Sequence, residues 1–588
     1  MPLLVVVLGS AIVLTVAYFT YGRLLTRLLG LDPSRRTPAV EWRDDVDYSP
    51  IEKAPLLNQH FSAIAAAGPI VGPILAGVMF GWLPALIWII VGSIFIGGVH
   101  DMSALLASVR HKARSIAEVV RQHMTRRSYL LFLSFIWLAL VYVVVAFTDI
   151  TASSFVGRQT LENGQVVSGG GIATSSMLYL ILPIAMGLLV RFARVSIGIA
   201  TLLFLPLVGG AIWVGQLAPF DLAQVLGVSD ARAQRIWNVI LLGYCFIASV
   251  IPMWLLLQPR GSLGGYFLFV ALIGGGVGLM LGGETIQYPA FIGWQSAAGQ
   301  PLVPLLFITI ACGACSGFHS MVASGTTSKQ VRCESDIRLI GYGAMLMEAM
   351  VAVISLSCVM VLASSSPLVK SPQPNFLYAH GIGQFLQVLG VPLAFAISFA
   401  LMAFTTFVYD TLDVCTRLGR YVLQELVGWH GAFGRFVATA VTVGVPMYFL
   451  TLDPPMDNGK VVPVWRAFWG LFGASNQLLA ALTLIGVTVW LWRTRRAWWV
   501  WLVTGLPAAF MYVFSMWELA RTIVGGFSRG AQFTLPVIGV SAPSSPVPWV
   551  AMVLAGLALL LLVEAVRVFV TNETPPGDDA GAAMAVAA

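Results

Sequence analysis

Three groups of residues in this 588-residue chain have the types and spacing to do chemistry, and all three lie inside apolar segments. The first is His100-Asp101, in FIGGVHDMSALL. An imidazole beside a carboxylate can hold or pass a proton near neutral pH; the plainer reading is a structural hydrogen bond or an interfacial cap. The second is Asp410 and Asp413, in FTTFVYDTLDVCTRLGR, three apart and therefore on one helical face. Close carboxylates repel, so one can keep a proton and carry it. Equally, Arg417, at i+4 from Asp413, would neutralise it.

The third group is in ITIACGACSGFHSMVASGTTSKQ. Cys312, Cys315 and His319 fall at i, i+3 and i+7, one face of a helix. Thiolates and imidazole suit Cu(I) or Zn(II). Nothing else in the chain supports a metal, so the preferred reading has Ser316, His319 and Ser320 lining a polar pathway. Thr326 and Thr327 then offer hydroxyls to a cation or a helix end.

A backbone defect accompanies these side chains. FSAIAAAGPIVGPILAGVMFG, residues 61–81, carries Gly68-Pro69 and Gly72-Pro73 in mid-run, after His60. Proline removes a donor and clashes with the preceding turn. A broken helix in a bilayer frees amides for an anion and carbonyls for a cation; the alternative is small-residue packing. In VWRAFWGLFGASNQLLAALTL, Asn476 and Gln477 add polar groups. There Arg466 either pairs a substrate carboxylate or snorkels to headgroups.

The elements that must position these groups are membrane spans. The chain is 58% hydrophobic and 10% charged, against about a quarter charged in soluble domains. Crossing a bilayer takes roughly 20 apolar residues. That rule gives about fifteen spans, at 2–22, 60–80, 83–108, 128–149, 174–191, 196–216, 237–257, 264–281, 302–325, 339–363, 385–409, 433–451, 464–491, 497–517 and 548–569. Lys/Arg clusters follow the odd-numbered spans, which places the N-terminus outside and the C-terminus in the cytoplasm; Arg232 and Arg235 run against the trend. The net charge of +7 therefore suits anionic lipid and implies no nucleic acid. The N-terminal apolar run reads as a retained first helix. All six cysteines lie in or beside apolar runs, which gives no disulfide framework. No Walker lysine motif or soluble catalytic domain is visible, and no enzyme or cofactor is expected.

The organisation expected is a first helix and cytoplasmic loop (1–58), a transporter core (59–492), C-terminal helices (493–570) and a disordered tail (571–588). Span two runs inside-to-outside. Span seven, five spans on and opposite in direction, carries Pro252 in YCFIASVIPMWLLLQPR, the spacing of a five-plus-five inverted repeat.

NQHFSAIAAAGPIVGPILAG, GWLPALIWIIVGSIFIGGVHDMSALLASVRHKARSIAEV, IACGACSGFHSMVASGTTSKQ and WGLFGASNQLLAALTL resemble the carbon starvation protein A family, over roughly residues 50–490. The resemblance implies an all-α, LeuT-like five-plus-five core with flanking helices, within the amino acid–polyamine–organocation superfamily. It also implies an inner-membrane transporter taking up pyruvate or peptides under carbon starvation, with proton coupling. The expected function is a cation symporter, proton or sodium, importing a small carboxylate. Substrate contacts are expected from Gly68, Pro69, Gly72, Pro73, Ser316, His319, Ser320, Asn476 and Gln477. Coupling is expected from His100, Asp101, Asp410, Asp413, Thr326 and Thr327. The alternatives are a membrane-embedded nutrient sensor and a metal-dependent protein using Cys312, Cys315 and His319. Oligomeric state is not specified by the sequence.

Overall fold

The computed structural model describes the chain except residues 1, 45–47, 161–165, 253, 371, 430, 453–455, 458–459, 530–531, 535–540, 544 and 572–588. The expected tail thus lies almost wholly outside the described residues. Among the described residues, thirteen helices are long and apolar enough to cross a bilayer, or up to 14 if one bent pair counts as a span. Apolar runs of this length close their backbone hydrogen bonds internally, since lipid offers no partner. The protein is an all-α, multi-pass membrane protein; among the described residues its strands form only short two-stranded hairpins in connecting segments.

Ten helical segments matter for the site. They are α1 (Lys53–Ile64), α2 (Gly68–Phe80), α3 (Gly98–Arg110), α4 (Asp230–Val250) and α5 (Leu257–Gly282). Then follow α6 (Leu302–Thr309), α7 (Gly317–Gly325), α8 (Ala344–Met360), α9 (Leu393–Val427) and α10 (Val464–Arg495). α8 and α10 belong to the most enclosed spans, whereas Leu3–Leu29 and Pro546–Thr571 lie at the rim with Val, Ile and Leu exposed. In a bilayer such exposure is the solvated state, so polar and small residues mark the interior.

Two spans are broken. α1 and α2 meet at a 48° bend. The break falls at Ala65–Ala67, just before the expected position. Gly68 and Pro69 open α2, where proline is tolerated because early amides lack helical partners anyway. Gly72-Pro73 does not break the helix: Pro73 sits inside α2 and forfeits one backbone bond. The second break corrects a larger expectation. The stretch 302–325 is two short helices, α6 and α7, joined by the irregular segment 310–316. Pro252, expected inside span seven, lies in the connection between α4 and α5. The second break therefore falls in span nine, not in span seven.

Residues 283–301 form no helix. Their backbone is pinned across helix ends, with Ile292 N donating to Phe80 O and Tyr288 N to Met360 O. Gly81 turns there at φ +94, and a Cβ on it would meet Ala290 and Phe291 backbone.

Candidate functional site

The two breaks face each other. A side chain at Gly68 would overlap Cys312, and one at Gly72 would overlap Thr309 O, so only glycine lets the two backbones close to this distance. Gly313, inside the second break, lies against Pro73. Gly97 and Gly317 are pressed equally close, against Ala314 O and the α10 backbone.

Opening a helix in this setting frees backbone groups that must find partners. Trp88 Nε1 donates to Ile310 O at 3.3 Å, and Gln477 Nε2 donates to Phe307 O. Asn476 Oδ1 accepts from Phe318 N at 3.0 Å, capping α7, while its Nδ2 reaches Ser316 Oγ and Cys312 Sγ. Asn476 thus occupies the place an anion would take at the α7 N-terminus. Ser320 is held by Gly317 O and Thr483 Oγ1.

In the first turn of α7, His319 joins a buried polar chain. Its Nδ1 lies 2.7 Å from Asp101 Oδ2, and His100 Nδ1 lies 2.7 Å from Asp101 Oδ1. On the far side, His319 Nε2 sits 3.1 Å from Glu348 Oε2 on α8. That distance suits an ion pair, but the angle is not that of a hydrogen bond, and both Glu348 oxygens lack a hydrogen-bond partner among the described residues. All four side chains are essentially inaccessible. Asp101 accepts from two imidazoles, which leaves Nε2 of His319 turned toward the Glu348 carboxylate. His60 Nδ1 bonds Thr327 Oγ1 at 2.8 Å, and Thr326 bonds its own helix at Val322 O.

Asp410 and Asp413 stand apart from this chain, against Arg260 on α5. Asp410 Oδ1 takes Arg260 Nε at 2.7 Å, and Asp413 pairs with Arg260 Nη1. Tyr244 on α4 donates to Asp413 Oδ2 at 2.8 Å. Arg417, the partner expected for Asp413, instead donates to Ala248 O and Ile251 O at the end of α4. Between the two clusters and the face of the basic loops lies a cavity of about 1310 Å³, with Asn58, Ser262, Ser324, Thr326, Lys329 and Arg417 in its wall.

The structure thus brings Gly68, Pro69, Gly72, Pro73, Ser316, His319, Ser320, Asn476, Gln477, His100 and Asp101 around the paired breaks. Thr326 lines the cavity, Thr327 is bonded to His60, and Asp410 and Asp413 lie in a second cluster. Arg466 is exposed in the first turn of α10. His319 is turned toward carboxylates, and no group of three or more His, Cys, Asp or Glu among the described residues is placed to hold a metal ion. Glu348 and the pairing role of Arg260 escaped the sequence reading. A lone carboxylate in GAMLMEAMVAVISL was signal enough for Glu348, since an intramembrane charge is a functional candidate by default.

A family model described as Carbon starvation protein CstA matches residues 2–374 and 365–518. The chain belongs to the carbon starvation protein CstA family. The family's "Peptide transporter CstA" of Campylobacter jejuni is 30% identical, over 89% of this chain and 80% of its own length. "Pyruvate/proton symporter BtsT" of Escherichia coli is 30% identical over 90% and 82%. "Peptide transporter CstA" of Helicobacter pylori strain J99 is 31% identical over 83% and 78%. These relatives are named as transporters. A solved manganese transporter mutant from Eremococcus coleocola covers 90% of this chain and 98% of its own at 15% identity and a TM-score of 0.42, too loose a likeness to carry geometry.

Proposed function

We propose that this protein is a secondary active transporter that imports pyruvate or short peptides across the bacterial inner membrane, driven by a proton. The relatives' names support peptides or pyruvate as substrate. The observation that carries the coupling is the chain His100–Asp101–His319–Glu348, which reaches the second broken helix directly. A proton arriving between His319 and Glu348 changes the charge in the first turn of α7, which Asn476, Asp101, Thr483 and close backbone packing hold in place.

In this reading the substrate carboxylate takes the α7 N-terminus from Asn476, drawn by the freed amides and the helix dipole. Ser316, Ser320 and Gln477 line the same break. Gly68, Pro69, Gly72 and Pro73 let α2 slide against it. The cavity on the basic-loop side is the cytoplasmic vestibule, with the N-terminus outside and the C-terminus inside. The core is organised as a five-plus-five repeat around these breaks, and rocking it opens the site to either side.

The test is uptake of labelled pyruvate and of a labelled dipeptide by purified protein in proteoliposomes, under a pH gradient and a sodium gradient applied separately. Accumulation of either substrate under the pH gradient alone supports the reading. Accumulation only with sodium, or equilibration without accumulation, refutes proton coupling.

A further inference from the structure

Two carboxylates face one guanidinium in the Arg260 cluster, in a part of the protein that excludes water. Arg260 is fully buried, and Asp410 and Asp413 are nearly so. With both aspartates ionised the trio carries one negative charge too many, and an uncompensated charge inside a protein is strongly unfavourable. Arg417 follows Asp413 by one turn, but its hydrogen bonds go to the carbonyls ending α4 and to neither carboxylate, so its charge acts on Asp413 only through space.

The hydrogen bonds show where the excess sits. Asp410 uses both oxygens, Oδ1 on Arg260 Nε and Oδ2 on Ser62 Oγ of α1. Asp413 Oδ2 receives Tyr244 and Arg260. Asp413 Oδ1 is buried and has no hydrogen-bond partner among the described residues. One open oxygen is enough for a proton; a metal cation would need several oxygens at once. The other titratable groups facing the cluster are Tyr244 and Cys245 on α4, Tyr409 and Cys415 on α9, and Tyr179 on the helix Gly169–Phe192. Phenols and thiols ionise well above neutrality, which leaves the aspartates as the groups that titrate.

Resting on the transport reading above, we propose that Asp413 Oδ1 is a second proton-binding site, separate from the His319 network, which exchanges its proton with water in the cytoplasmic vestibule. A proton leaves that water, bonds to Asp413 Oδ1 and makes the cluster neutral; it returns to the water when the site empties. The path is short, because Val414 and Arg417 on α9 and Leu257 and Ser262 on α5 already line the cavity. Arg260 acts as a positioning residue. It holds both carboxylates and sets the capacity at one proton. Through Asp410 and Ser62 the occupied or empty state of the site is felt by α1, the first half of the broken span.

Infrared difference spectroscopy of the full-length protein in nanodiscs, between alkaline and acidic buffer, reads this without any substrate. Wild type is expected to gain a buried carboxylic acid C=O band on acidification. Asp413→Asn is expected to lose that band, and Asp410→Asn is expected to need a lower pH to show it, because Arg260 then balances Asp413 alone. Should Asp413→Asn fail to fold, Asp413→Glu is expected to shift the band. A full wild-type band set in Asp413→Asn, an unshifted band in Asp413→Glu, or loss of the band on adding sodium at constant pH would each overturn the assignment. Uptake failure in proteoliposomes would count against the transport reading, not against this band.

Discussion

His319 Nδ1 lies 2.7 Å from Asp101 Oδ2, tying the broken helix α7 to α3 inside a part of the protein with no access to water. The other nitrogen of the same ring faces Glu348 on α8. One imidazole therefore joins three helices, and its charge decides whether two buried carboxylates are compensated. Asp101→Asn turns one of the two acceptor oxygens into a donor and removes the charge that both imidazoles face. Hydrogen bonds to charged groups contribute about 1.5–3 kcal/mol each, so the variant is expected to melt earlier in detergent; an unchanged melting temperature would contradict the network.

Arg260 gives a sharper stability test. Breaking a buried ion pair by removing one partner costs about 3–5 kcal/mol, whereas apolar or neutral replacement of the whole group is often tolerated. Arg260→Met alone is expected to destabilise strongly. Arg260→Met combined with Asp410→Asn and Asp413→Asn is expected to recover most of the loss. Melting of the single and triple variants by tryptophan fluorescence would show this, and equal loss in both would contradict it.

Asn476→Ala removes a side-chain cap worth about 1 kcal/mol and strips Phe318 N of its partner. Faster hydrogen exchange at residues 316–320 is expected, with the rest of α10 unchanged. Protection that does not change would show that Asn476 does not hold the break.

Gly72→Leu forces a side chain into Thr309 O, and overpacking of this kind costs about 1–3 kcal/mol. The protein is expected to fold and to lose uptake, because α2 can no longer close on α6. Full uptake in Gly72→Leu would remove the paired breaks from the mechanism.

A pH effect is expected outside the spans. His111 Nδ1 donates to Ala107 O, so its Nε2 accepts from His123 Nε2, 2.7 Å away. Burial, then the neighbouring His111 and Arg493, push His123 down to about 4 from an ordinary 6.5. The folded ring stays neutral where the unfolded one binds a proton, so this contact's stability is complete above about pH 6.5 and falls as the pH drops toward 4. His123→Gln is expected to flatten that part of the melting-temperature profile; an identical slope in both proteins would contradict the assignment.

Much of the fold was legible because lipid dictates it. Apolar runs of span length must be helices, and the basic loops punctuate them. The α1–α2 break was legible in Gly68-Pro69, although Gly72-Pro73 turned out to sit within a continuous helix. The second break was not, since ACGACSG contains no proline, and small residues read equally well as close packing or as an open helix. His100, Asp101 and His319 were visible as intramembrane polar groups. Their union was not, because it depends on α3, α7 and α8 meeting across more than two hundred residues of sequence. Arg260 was hidden for a different reason: it sits near a predicted loop, where arginine usually reports orientation, and only the packing of α5 on α9 draws it onto Asp410 and Asp413.

The most direct measurement compares wild type with His319→Gln in proteoliposomes for whichever substrate the wild type accumulates. Gradient-driven accumulation and exchange of internal for external substrate would be followed side by side. Glutamine keeps a side-chain donor toward Asp101 but cannot take the shared proton. The account predicts that accumulation under a pH gradient is lost while a fraction of exchange remains. Accumulation at the wild-type level in His319→Gln would contradict the claim that this buried network couples the proton to transport.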